Sequence, residues 1–327
     1  MQTWIVGVDV SKAKVDVALL LEGDKYKSKV FSNDARGFEA LVGWLLALGV
    51  QELARVHVCM ESTGSYHETL ACALFDRGLT VSVVNPLLVK RFAEANRMRN
   101  KTDGGDAKCL AQFCRVQSPE RWEAPSPGVR ALQALVARLE TLQTMRQAEA
   151  TRREVAHSSV LGSINALVAE LDQAIAQVKA QIVRTIDDDP DLKRRSQLLE
   201  TIPGLGEKSI AQLLAYIGRP ERFRNVKALI AYASLPPHIR QSGTTLDKRR
   251  GTHPMGHQEL KRALYFPAMV AGQHNPLVAE FWQRLKAQGK PGKVIVVACM
   301  HKLLAIAYGV LRSGKLFNAD HLEPNAA

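Results

Sequence analysis

Four carboxylates stand where an acid has no structural reason to be. Asp9 interrupts the apolar run Trp4–Val10, Glu61 ends the run that begins at Val56, and Asp103 and Asp106 lie three residues apart on an expected helix. An ionised carboxyl in an apolar strand is costly to bury unless a cation compensates it. Oxygen donors of this kind suit Mg²⁺ or Mn²⁺. Two such ions can activate an attacking oxygen and stabilise a leaving one in phosphoryl transfer. Asp103 and Asp106 by themselves would suit any helix start, where the macrodipole favours acids. The four together point to a metal-ion nuclease or recombinase.

Two further motifs carry chemistry. Ile202-Pro203-Gly204-Leu205-Gly206-Glu207-Lys208 between helical segments has the form of a helix-hairpin-helix. Gly204 and Gly206 would let backbone N–H groups approach a phosphate, Lys208 would add charge, and contact would be independent of base sequence. Arg219, Arg222, Arg224 and Lys227 follow it. Ser242, next to Gly243 in a Pro-, Gly- and Arg-rich segment over 235–256 that reads as a loop, is surrounded in sequence by Arg240, Lys248, Arg249 and Arg250. A loop Ser beside Gly is a turn former first. It becomes a nucleophile toward phosphorus only if its proton affinity is lowered and cations neutralise the phosphate.

The elements that must position these residues follow from periodicity. Trp4–Val10, Val15–Leu21 and Tyr26–Phe31 read as a three-strand meander, and Ser32-Asn33-Asp34 caps a helix bearing Phe38, Leu41, Val42, Leu45 and Leu46. Val56–Met60, Tyr66–Arg77 and Thr80–Val84 read as strand, helix and strand, before a helix opening at Pro86. The order βββαβαβ is that of a ribonuclease-H-like α/β fold, whose first and fourth strands lie side by side and bring Asp9 to Glu61. Residues 128–186 carry apolar positions at 132, 135, 139 and 142, then at 164, 168, 171, 175, 178 and 182, which predicts two long coiled-coil-like helices turning near Ser158–Gly162. Glu200–Gly218, Phe223–Tyr232, Leu260–Gly272 and Val294–Leu311 predict a mainly α C-terminal part. The expected domains are therefore 1–124, 125–190 and 191–327.

Charge divides the chain in the same way. Residues 1–190 hold 23 basic and 23 acidic side chains and residues 191–327 hold 21 and 9, so polyanion binding is expected in the C-terminal part. The five cysteines are odd in number and form no CxxC pair, which argues for free thiols over a disulfide framework or zinc knuckle. No apolar run approaches the roughly 20 residues that cross a bilayer, and the expectation is a cytoplasmic protein without a membrane partner.

An alternative reading takes Glu61-Ser62-Thr63-Gly64-Ser65 as a phosphate-cradling turn. With Gly7–Lys12 this is similar to actin-like sugar and acetate kinases, but the chain has no second β-domain with its own nucleotide turn. A more specific resemblance rests on six spaced motifs: Gly7-Val8-Asp9-Val10-Ser11-Lys12, Glu61-Ser62-Thr63-Gly64, Asn85-Pro86, Arg99 to Ala107, Ile202 to Gly206, and Gln241-Ser242-Gly243. Over residues 4–315 the chain resembles the DEDD transposases of the IS one-ten family of insertion sequences, near the members guided by a bridge RNA. The resemblance implies a RuvC-like N-terminal domain, a coiled-coil region and a C-terminal transposase domain. It implies that Asp9, Glu61, Asp103 and Asp106 bind Mg²⁺ (or Mn²⁺), and that Ser242 forms a covalent phosphoserine with DNA. It also implies donor and target double-stranded DNA and a noncoding bridge RNA as partners, and a homo-oligomer, dimer to tetramer, in which carboxylates and serine come from different protomers. A metal-dependent junction nuclease, using the same carboxylates to activate water and needing no Ser242, is the alternative within this chemistry. The chain departs from the family pattern at Ser234, where Gly is common, and at Pro254, where Lys is common.

Overall fold

Alternation of apolar residues near the N-terminus builds one mixed sheet. The computed structural model describes residues 3–62, 66–96, 103–242, 246–252 and 256–319, with side chains described except at 103–104, 237–242 and 246–252. The chain forms two compact units, Met1–Ala124 and Pro125–Ala327.

The first unit runs β1 (Trp4–Val10), β2 (Lys14–Leu20), β3 (Tyr26–Ser32), α1 (Ala35–Ala47), β4 (Val56–Glu61), α2 (Tyr66–Asp76), β5 (Thr80–Val84), α3 (Pro86–Ala95) and α4 (Asp103–Gln117). The strand order is β3-β2-β1-β4-β5. The first three strands form an antiparallel meander, and β4 and β5 run parallel to β1. The first and fourth strands are neighbours, as the element order requires. Val6, Val8 and Val10 point to one face, where they pack with Phe38, Leu41 and Leu45 of α1 and Leu70 and Leu74 of α2. The opposite face is covered by α4. A Cβ on Gly7 would lie 2.0 Å from the carbonyl oxygen of Ala107 and 2.4 Å from the amide nitrogen of Ala111, so only glycine lets α4 lie this close to β1. Asp34 caps α1, accepting from the Gly37 N–H at 2.8 Å, and Asn85 caps α3, accepting from Leu87 at 2.9 Å.

The second unit comprises α5 (Pro127–Val155), α6 (Ser158–Asp188), α7 (Pro190–Glu200), α8 (Glu207–Ile217), α9 (Val226–Tyr232), β6 (Pro237–Ser242), β7 (Leu246–Thr252), α10 (Gln258–His274), α11 (Pro276–Ala287) and α12 (Gly292–Ser313). Leu132, Leu139 and Leu142 of α5 and Leu171, Ile175 and Ile182 of α6 are buried in the same apolar core as α7 to α12. The break between the long helices falls at Ala156-His157, earlier than Ser158–Gly162. The His157 ring accepts from the Ser159 N–H at 3.2 Å and so starts α6, while Gly162 is simply absorbed into it. Residues 237–242 and 246–252, expected as part of a loop over 235–256, form the antiparallel pair β6 and β7. Gly243 between two runs of strand-compatible residues is a hairpin signal that the Pro and Arg content obscured. α11, opened by Asn275 and Pro276, was not expected.

Against the expectation that no apolar run is so long, α12 has 22 residues and a stretch of mean hydropathy 2.1, long and apolar enough to cross a membrane. Ten of its residues, among them Cys299, Leu303, Leu304 and Ala307, are buried in the core, which accounts for the composition.

Candidate active site

β1 and β4 bring two of the carboxylates together. Their parallel register pairs Gly7 with Cys59 and Val8 with Met60, and continuing the offset by one residue sets Glu61 level with Asp9. Gly7 faces α4, so Asp9, two residues on, shares that face. Both carboxylates are half-buried. Asp106 lies in the first turn of α4, one residue before the Ala107 carbonyl that packs on Gly7, and is also half-buried. Burial pushes the Cys109 thiol up to about 11, and the charges of Asp106 and Glu61 add to the rise, so both carboxylates act on the same thiol. Asp103 opens α4 three residues before Asp106, on the same helical face by spacing; its side chain lies outside the described residues.

The oxygen-only donor set suits a hard divalent cation. Among the described residues, however, no three His, Cys, Asp or Glu side chains stand close enough to ligate one.

Sequence reasoning missed Asp16. In the β1–β2 register Asp16 is the direct partner of Asp9, on the same face, and it is 8% exposed. Lys14 Nζ lies 3.2 Å from its Oδ2. The overlooked signal is the sequence Asp9 to Asp16 itself: a tight turn at 11–14 fixes that pairing once both strands are recognised. Beneath the carboxylates lies a thiol pair. A hydrogen bond to Cys114, together with burial, raises the Cys59 thiol well above its ordinary value, while hydrogen bonds from Cys59 and His57 hold the Cys114 thiol below its own. His57 Nε2 is 2.8 Å from Ser82 Oγ, which donates to the Glu120 carbonyl. The expectation of free thiols holds for all five cysteines.

In the second unit Ser242 is the last residue of β6, paired with Leu246. The register sets Arg240 opposite Lys248 and His238 opposite Arg250, so the backbone places Ser242, Arg240, Lys248 and Arg250 on one face of the ribbon and Arg249 on the other. Proximity in sequence had grouped all four cations with the serine.

The Gly turn before α8 has two different glycines. Gly204 has φ +102°, and a Cβ there would lie 2.6 Å from that of Ala271 on α10, so packing already requires glycine. Gly206 caps α8 with no side-chain bond and has open space around it, as a phosphate contact needs. Lys208 donates to Gln143 of α5 at 2.7 Å, and Arg222 lies over the rings of Phe223 and Tyr232 at 4.8 and 4.9 Å. Both are engaged structurally.

Comparison with known proteins now bears on the site. Residues 6–156 match a DEDD family model described as Transposase, and residues 196–283 match one described as Transposase IS116/IS110/IS902 family. The chain is 32% identical over 320 residues to the pilin gene-inverting protein of Moraxella bovis, covering 97% of this chain and 98% of that one. The chain belongs to the IS110 family of transposases. The Moraxella lacunata pilin gene-inverting protein is equally similar, at 32% over 320 residues with the same coverage. An IS110 insertion-element protein of Streptomyces coelicolor is 25% identical over 167 residues, 48% of this chain and 40% of its own. This IS110-family chain is thus a DNA recombinase, an enzyme whose substrate is DNA. Its DEDD domain implies a ribonuclease-H-like fold, consistent with the sheet order, and dependence on a divalent metal. The actin-like kinase alternative is displaced. The first matched segment contains all four carboxylates, and the second contains Ser242 and the Gly turn.

Proposed function

We propose that this transposase excises and inserts its own element by serine attack on DNA, with a RuvC-like carboxylate site assisting and a bridge RNA selecting the sites. The observation that carries the reading is the alignment of Asp9 with Glu61 at adjacent strand ends, under a helix whose first turn bears Asp106. Asp9, Glu61, Asp103 and Asp106 would hold Mg²⁺ or Mn²⁺. Such an ion, when bound, supplies charge neutralisation at a phosphoryl group.

Ser242 Oγ attacks the phosphorus of one DNA strand. An Oγ–P ester forms, a P–O bond to deoxyribose breaks, and the serine proton is balanced by the proton gained by the released hydroxyl. One phosphoester replaces another, so the reverse attack by a deoxyribose hydroxyl rejoins strands without an external energy source. The register of β6 and β7 supports the role, since three cations share the serine's face and would offset the phosphate charge. Arg249 serves the opposite face.

The Moraxella relatives are named for inverting a pilin gene. Inversion, excision and insertion are the same exchange at two sites and differ in how the sites are arranged, so one chemistry serves all three. Oligomerisation, dimer to tetramer, would let the serine of one protomer work with the carboxylates of another.

Ser242→Ala tests the mechanism. Wild-type protein incubated with element-end DNA is expected to yield a denaturation-resistant protein–DNA adduct, and the variant none. An adduct that persists in Ser242→Ala overturns the serine role and leaves a water-activating nuclease as the reading. Sequencing of RNA that copurifies with the protein tests the guide: a structured RNA encoded beside the gene is expected.

A further inference from the structure

We propose that Ser234 and Gln258 are positioning residues for Ser242: their side chains join the two ends of the β6–β7 ribbon at its root, and that bond aims the serine at the phosphate. The proposal rests on the reading of Ser242 as the nucleophile.

The incoming end of the ribbon is fixed by the way α9 stops. The Leu235 N–H donates to the Ile230 carbonyl at 3.2 Å and the Ser234 N–H to the Ala231 carbonyl at 3.1 Å, the bond pattern of a Schellman C-cap. That motif favours glycine at position 234, where φ is +54°. Pro236 and Pro237 follow and cannot continue the helix. Ala233, Ser234 and Leu235 are all buried, so this end is set in the core.

The outgoing end returns against it. The His257 N–H donates to the Tyr232 carbonyl at 2.6 Å, and a Cβ on Gly256 would overlap both that carbonyl oxygen and Ser234 Oγ. Gln258 Nε2, in the first turn of α10, donates to Ser234 Oγ at 3.0 Å. Backbone contacts thus bring the two ends together, and one side-chain bond links them. A side chain held in a conformation natural to glycine points to a role for that side chain, and here the hydroxyl makes a bond that glycine cannot.

The shape of the ribbon gives that bond its leverage. β6 and β7 form a sheet of two strands, so no third strand steadies their direction. Ser242 is the sixth and last residue of β6, so at about 3.3 Å per residue it lies about 17 Å from Pro237. A tilt of about 5° at the root moves it by about 1.5 Å. A misplacement of about 1 Å can lower a rate about 10²-fold.

The test uses the full-length protein with element-end DNA and reads the rate of adduct formation at saturating DNA, the DNA affinity and the melting temperature. Ser234→Gly removes the hydroxyl and suits the backbone, so a merely structural role for this residue predicts no loss. The expected result is a rate lower by about tenfold or more, with affinity and melting temperature near wild type. Gln258→Leu is expected to lower the rate to the same extent, and the double variant no further, because both changes remove one bond. A wild-type rate in Ser234→Gly overturns the proposal, and so does a double variant in which the two losses multiply. Ser242→Ala is run beside them. An adduct that persists in Ser242→Ala overturns the nucleophile reading and this proposal with it, whereas an adduct lost there but formed at full rate in Ser234→Gly overturns the positioning role alone. Should Ser234→Gly fail to fold, Gln258→Leu carries the test, and a wild-type rate in that variant overturns the proposal.

Discussion

At the scale of single residues, the placement of the site depends on an atom that is missing. Gly7 carries no Cβ, and one would sit 2.0 Å from the Ala107 carbonyl oxygen. Gly7→Ala must therefore push α4 away from β1, at an overpacking cost of about 1–3 kcal/mol. Because α4 carries Asp103 and Asp106, DNA cleavage is expected to fall far more than stability does. A folded Gly7→Ala protein with wild-type cleavage would remove this argument, and a thermal melt run beside a cleavage assay decides it. Ser234 is explained at the same scale. It is buried with φ +54°, a conformation natural to glycine, which accounts for the Gly common at this position in the family. Its hydroxyl accepts from Gln258 Nε2 at 3.0 Å, which offsets part of the strain.

At the scale of elements, the start of α10 is sensitive to acid. His257 caps the helix by accepting from the Leu260 N–H at 3.2 Å, which requires an unprotonated Nδ1. Burial, against the rings of Tyr216 and Tyr232, lowers its pKa below 6.5, and this outweighs the opposing pull of Glu259. Burial lowers His301 likewise. The folded state thus takes up these protons less readily than the unfolded chain. Their contribution to stability is complete above about pH 6.5 and is lost as pH falls from there toward the lowered folded values. The melting temperature is expected to drop between about pH 7.5 and pH 5.5. His257→Asn, a cap that does not titrate, should flatten the profile, and an equally steep profile in that variant would show that the cap is not its source.

At the scale of the molecule, the basic excess and the carboxylates are separated. The four carboxylates lie within residues 1–190, where charges balance, and the excess of 21 basic over 9 acidic side chains lies beyond. Asp9→Ala is expected to abolish metal-dependent strand cleavage while DNA affinity, and its steep fall with salt, stay near wild type. A large loss of affinity in Asp9→Ala, measured by titration in EDTA, would place the main DNA grip at the carboxylates instead. The same separation explains what was legible at each site. Asp9 and Glu61 were readable because an acid in an apolar strand conflicts with its surroundings. Lys208 and Arg222 were readable only as charges: the Lys208 bond to Gln143 comes from a helix distant in sequence, and the Arg222 contacts with Phe223 and Tyr232 form only once the chain between them folds back.

The sequence by itself determined the strand and helix order of the first unit, the two long helices and the family, because periodicity and motif spacing are local properties. Tertiary structure alone decided three things. It set Asp16 opposite Asp9, since pairing depends on where the turn at 11–14 closes. It assigned Gly7 and Gly204 to close helix contacts, because a glycine's need is visible only when its neighbour is in place. It split the cations around Ser242 between two faces, because a strand turns successive residues to opposite sides and the sequence alone had not revealed a strand there.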